Sequence, residues 1–192
     1  MDLTPLIENA VKRGDLSSAE AEVVAAELAS GLSPEMIPQE LEKEPVASPV
    51  LGTAEDDKTL TDVRAQLLEM TIGQKIKLAL LGNSVARSLL IFNPNKMIQD
   101  CVLRNPRLTE GEVHGYLKST NISDHALRFI AGDKDLMKSY TSRINLVSNP
   151  KTPGDIGVKW IRFINQTDLK KLAKSKNVSH VIQTTARRMI AE

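Results

Sequence analysis

The chain has 192 residues, 41% apolar and 26% charged, with 25 Lys or Arg against 24 Asp or Glu, which is room for one substantial core and a small second unit. Its single cysteine, Cys101, excludes an internal disulfide framework, and no apolar run approaches the roughly twenty residues a membrane span needs. The amino terminus, Met1 to Glu8, lacks a basic region followed by a long apolar run, so a cytoplasmic protein without a secretory signal and without membrane contact is expected.

In chain order, Thr4 followed by Pro5 has the cap-then-proline order that opens a helix. Leu6, Ile7 and Val11 supply its apolar face, and Gly14 with Asp15 ends it. Ser17 through Glu20 spells a capping box ahead of Val23, Val24 and Leu28, with Gly31 as the stop. Ser33-Pro34 opens a shorter element carrying Met36, Ile37 and Leu41, kinked or started late by Pro38. Together these form an acidic helical head over residues 1–43. From Glu44 to Lys58 the periodicity lapses, and residues 44–58 read as a flexible linker.

Helical patterning resumes near Leu60 and continues to the end of the chain in short pieces. Capping boxes at Thr71 with Gln74 and at Thr109 with Glu112 punctuate it, as do Pro106, Pro150 and Pro153 at joints. No alternating run marks a strand, so the expected fold class is all-α. Asn83, Asn105, Asn121, Asn149, Asn165 and Asn177 each stand between apolar helical runs, with Ser or Thr within four residues downstream. Asn tolerates the left-handed conformation that closes a helix, and Ser or Thr caps the next one. Asn121, Asn165 and Asn177 also fit the glycosylation sequon, but helix joints are the preferred reading because nothing points to secretion.

An internal repeat accompanies this punctuation. Setting Asn105 against Asn149, 44 positions on, aligns Asn-Pro with Asn-Pro, Arg107 with Lys151, Tyr116 with Trp160, Leu117 with Ile161, Lys118 with Arg162, Asn121 with Asn165 and Asp124 with Asp168. After a two-residue deletion the match resumes, with residues 127–131 facing 169–173. A degenerate earlier copy starts at Lys77-Leu78-Ala79, which echoes Lys171-Leu172-Ala173. Residues 59–192 are therefore expected to form a C-terminal α-solenoid of short helices, following the small N-terminal helical unit and the flexible linker.

Short helices, Asn-Pro joints and a repeat in the forties resemble HEAT-type or leucine-rich-repeat-variant α-solenoids. The stretch from Thr71 to Ile190 also resembles a group of uncharacterised bacterial cytoplasmic proteins, through residues 82–91, Leu103-Arg104-Asn105-Pro106 and residues 172–177. The resemblance implies a fold and a binding role, not a reaction. The iron-sulfur cluster known in one leucine-rich-repeat-variant protein needs several cysteines, and this chain departs from that pattern with one.

Charge divides the chain sharply. Residues 1–60 hold 13 acidic residues against 4 basic, and residues 61–192 hold 11 against 21. The halves either attract each other or attract different partners. The basic residues concentrate at Lys159, Arg162, Lys170, Lys171, Lys174, Lys176, Arg187 and Arg188, with Asp168 the sole acidic residue among them. Tyr116 and Trp160, equivalent under the repeat, are either anchors of a binding face or core residues, and their neighbours Leu117 and Ile161 favour core.

Catalytic and cofactor constellations are sparse. His114, His125 and His180 lack metal-ligand spacing, and Asp124 beside His125 better serves the helix capped by Ser123. Cys101 lies in an apolar pattern with Ile98 and Val102 and is expected to be buried. Asp56-Asp57 reads as a solvated linker pair. No phosphate-binding or dinucleotide loop occurs. The expected function is a non-enzymatic adaptor or scaffold that binds a protein partner, acidic in character, through a basic solenoid surface masked by the acidic head, with no metal or cofactor. The alternative is a nucleic-acid-binding module autoinhibited by that head. Oligomeric state is not written in the sequence.

Overall fold

The computed structural model describes residues 4–29 and 64–191, and among them all regular structure is helical. The element expected from Ser33 to Leu41 and the linker 44–58 lie outside the described residues. The chain forms two compact units, Met1–Pro106 and Arg107–Glu192. The first holds α1 (Thr4–Lys12), α2 (Ser18–Ala29), helical residues 64–69, α3 (Ile72–Leu81), α4 (Ser84–Leu90) and α5 (Lys96–Leu103). The second holds α6 (Glu110–Lys118), α7 (Asp124–Gly132), α8 (Tyr140–Ser148), α9 (Gly154–Ile161), α10 (Gln166–Lys174) and α11 (His180–Ala191).

Local chemistry sets the helix starts. Ser17 and Glu20 exchange capping bonds before α2, Thr71 and Gln74 before α3, and Thr109 and Glu112 before α6. Each pair satisfies two backbone donors that the first helical turn would otherwise leave open. Ser123 caps α7 through the Ala126 amide. Gly14 closes α1 with a positive φ of 73°, while the Asp15 amide reaches back to the Ala10 carbonyl, the pattern of a Schellman end.

The asparagines behave differently from expectation. Among the described residues no non-glycine residue has positive φ, so none of them closes a helix in the left-handed conformation. Asn83 instead caps the start of α4, its side chain accepting from the Ala86 amide. Asn149 is extended, with φ −73° and ψ 129°. The proline that follows it is the reason, because a residue before proline is driven out of helical and into extended backbone.

From α3 onward the helices group in threes: α3–α5, α6–α8 and α9–α11. In every triplet the first and third helices pack against each other. They do so in parallel, because Asn105, two residues after α5, reaches the end of α3, Asn149, the residue after α8, reaches the end of α6, and Gly154 and Gly157 near the start of α9 meet Val181 and Ile182 near the start of α11. The residues matched by the 44-position repeat fall on corresponding helices, Tyr116 and Trp160 on the first of a triplet and Asp124 and Asp168 on the second. The shorter echo does not: Lys77-Leu78-Ala79 lies on the first helix of its triplet and Lys171-Leu172-Ala173 on a second.

Each unit has its own core. In the first, Ile76, Leu78, Leu90, Ile91, Met97, Ile98, Cys101 and Val102 are buried, and α1 packs on α2 and α5 while α2 packs on α3. Arg13 pairs with Asp100 at 3.1 Å and Lys96 with Asp15 at 2.9 Å. In the second, Val147 of α8 joins Ile161, Ile164, Leu169, Leu172, Ile182 and Ala186 in one core, at the 3.6-residue spacing that puts Ile182 and Ala186 on one face of α11.

Candidate functional site

Two parallel helices ending side by side bring together two sets of carbonyls that have no partner within their own helix. In the first triplet the Asn105 amide nitrogen donates to the Ala79 and Leu80 carbonyls at 2.8 and 2.9 Å. In the second, the Asn149 amide nitrogen donates to the Leu117 and Ser119 carbonyls at 2.7 and 2.9 Å. Both asparagines are about as buried as the core, at 4% and 3% exposure. These are structural joints, occupied by their own chain.

The final triplet is built otherwise. Gly154 lies beside Val181, and Gly157 is so close to Ile182 that a Cβ there would overlap the isoleucine side chain. The missing side chains let α9 and α11 touch at their amino-terminal halves. Toward their carboxyl ends, Val158, Arg162, Thr185, Arg188 and Met189 line an open groove of about 340 Å³. Val158 and Met189 give it an apolar lining, and the Thr185 hydroxyl is already donated to the Val181 carbonyl at 2.8 Å.

Every basic residue singled out from the sequence is exposed: Lys159, Arg162, Lys170, Lys171, Lys174, Lys176, Arg187 and Arg188. They do not act alike. Lys171 is paired with Asp168 at 2.8 Å, and Asp168 also accepts the Tyr140 hydroxyl at 2.6 Å. Lys171 and then Tyr140 hold the Asp168 carboxyl below the usual carboxylate range. Partial burial, then Asp168, raises the Tyr140 phenol. Arg187 donates to the Ala173 carbonyl at the end of α10. Lys159 lies over the Trp160 ring, 5.9 Å from its centroid. Arg162, Lys170, Lys174, Lys176 and Arg188 make no ion pair among the described residues.

The structure brings Arg162 and Arg188 to one groove. Lys170 and Lys174 are on α10, and Lys176 follows it. Tyr116 is core at 4% exposure, its hydroxyl 3.4 Å from Glu112 on the same helix. Trp160 is half-buried against the core of the final triplet. Beside Trp160, Phe163 faces solvent, 55% exposed, tilted against Trp160 at 5.5 Å between centroids and 6.0 Å from the Arg143 guanidinium. Sequence reasoning passed over Phe163. Its spacing from Trp160 gives the two rings a common edge of the helix end, but whether an aromatic there is covered depends on tertiary packing.

Residues with reactive potential are placed structurally. Cys101 is fully buried, and burial followed by the nearby Asp100 pushes its thiol up to about 12, far from a reactive thiolate. Asp124 opens α7 and pairs with Arg128 at 2.9 Å; Arg128 also reaches Asp155 at 2.8 Å. No group of three metal-ligating side chains occurs among the described residues, and no helix described is long and apolar enough to cross a membrane. Asp56 and Asp57 lie outside the described residues.

Comparison of the chain with protein-family models, curated proteins and solved structures finds no match.

Proposed function

We propose that this protein is a non-enzymatic adaptor that binds an acidic protein partner through the basic surface of its final helix triplet. The supporting observation is the set of exposed cations on or just after α9, α10 and α11 that have no carboxylate partner among the described residues: Arg162, Lys170, Lys174, Lys176 and Arg188. Solvation alone does not call for such one-sided charge, since residues 1–60 carry the opposite excess. Clustered cations of this kind accelerate encounter with acidic surfaces and disfavour basic ones.

The test is capture of proteins from nuclease-treated lysate on the immobilised full chain, at rising salt, beside a chain carrying Lys170→Glu, Lys174→Glu and Lys176→Glu. The reading expects a discrete protein that survives nuclease, is released as salt rises, and is not retained by the triple variant. Retention that disappears with nuclease would overturn it in favour of nucleic-acid binding, whose affinity is set by neutralised phosphates and falls steeply with salt.

A further inference from the structure

We infer that the groove between α9 and α11 is the specific docking site on that surface, and that its occupant is an acidic protein segment inserting one apolar side chain between Arg162 and Arg188. This rests on the adaptor reading and deepens it. The geometry begins with Gly154 and Gly157, which hold the amino-terminal halves of the two helices together. The carboxyl halves are spaced by larger residues and leave about 340 Å³ open above Val158 and Met189. That volume is at the low end of ligand sites, suited to one or two side chains.

The lining determines the chemistry of the occupant. Val158 and Met189 offer apolar surface, and methionine adapts its shape to what it meets. Thr185 is satisfied within its own helix and adds no polar demand. Arg162 and Arg188 are the charged residues of the lining, and no carboxylate belongs to it among the described residues. A basic residue at each helix end is favourable to the helix dipole, which accounts for one cation per end. It does not account for both guanidinium groups bordering the same apolar opening without an ion-pair partner among the described residues. A guanidinium binds a carboxylate with two parallel hydrogen bonds, so two of them flanking an apolar floor recognise an acidic-apolar-acidic pattern. Arginine beside a small desolvated pocket is also a frequent centre of binding energy.

The test is fluorescence anisotropy of the full chain with a labelled peptide of glutamates around one leucine, and with the same peptide carrying serine for leucine. The expected result is a loss of about tenfold or more in affinity for Arg162→Glu/Arg188→Glu, a smaller loss for the neutral pair Arg162→Gln/Arg188→Gln, and a several-fold weaker serine peptide. The neutral pair keeps the test valid if the charge-reversed chain does not fold. Equal binding of both peptides, or peptide binding unchanged in both arginine variants but lost in the Lys170/Lys174/Lys176 variant, would overturn the groove while leaving the adaptor reading. A chain that binds neither peptide but still captures a nuclease-resistant partner would do the same. Binding of a single-stranded oligonucleotide in place of either peptide would overturn both.

Discussion

The helix ends of the first two triplets differ from those of the last. Where α3 meets α5 and α6 meets α8, a buried asparagine amide spans two carbonyls and closes the junction. Where α9 meets α11, arginines stand at the surface around an open groove. Closure by asparagine consumes the polar groups and leaves nothing for a partner. At the last junction the exposed Arg162 and Arg188 make no such bridge among the described residues, which leaves their guanidinium groups available to the partner proposed above.

Removing the asparagines should produce the largest effects. Asn105→Ala and Asn149→Ala each remove the bonds to one buried and one part-buried carbonyl and are expected to cost about 2–3 kcal/mol by urea denaturation. Asn121→Ala and Asn177→Ala, at exposed positions, should stay within about 0.5 kcal/mol. Equal losses at all four would show that the asparagines act through helix termination in general rather than through the bridging bonds.

The glycines sharpen the same contrast. Gly157→Ala forces a Cβ into Ile182 and is expected to destabilise by about 1–3 kcal/mol. Gly115→Ala, in the middle of α6 and facing open space, should stabilise by about 0.5–1 kcal/mol through helix propensity. A thermal melt of each variant decides the signs. Thr109→Ala removes the hydroxyl that accepts the Glu112 amide at the start of α6 and should cost about 1 kcal/mol.

Smaller effects come from titration. Asp155 and Asp168 sit below their ordinary value of 3.8, Asp155 chiefly through Arg128 and Asp168 chiefly through Lys171. A lowered carboxylate stabilises the fold above its unfolded value, and that contribution is lost as pH falls through the folded value. Tyr140 and Lys171 are shifted the other way, from 10.0 and 10.5. Their contribution is complete below those values and is lost as pH rises through the folded ones. Asp155 and Lys171 are exposed and Asp168 and Tyr140 only partly covered, so solvent screening keeps the effect small. Denaturation midpoints of the full chain should dip slightly below about pH 4 and above about pH 10, and Asp168→Asn should flatten both edges. Cys101 should resist thiol reagents at pH 8 until the protein is unfolded.

Much of the fold was legible because it is written locally. The three capping boxes are short-range hydrogen-bond patterns, and each forms as spelled. Tyr116 and Trp160, matched by spacing, each stand on the first helix of a triplet, but Tyr116 is buried and Trp160 half-buried. The asparagine mechanism was misjudged because the left-handed preference of Asn was weighed without the proline after Asn105 and Asn149, which forbids it. The buried bridging role was not legible, since the carbonyls involved lie 25–32 residues away in sequence. The same holds for the groove. Gly154 and Gly157 look like ordinary helix-start and helix-interior glycines until Val181 and Ile182 are placed against them. The basic cluster was visible as composition, yet which cations are spent on Asp168 or on the Ala173 carbonyl depends on packing.

The most direct measurement is the urea denaturation midpoint of Arg162→Ala/Arg188→Ala beside that of Asn149→Ala, each in the full chain. If the arginines border a binding groove and the asparagine is a joint, the arginine pair should lie within about 0.5 kcal/mol of the parent while Asn149→Ala falls by about 2–3 kcal/mol. An arginine pair that loses as much stability as Asn149→Ala would make those residues structural closures and contradict the division between joint and binding surface.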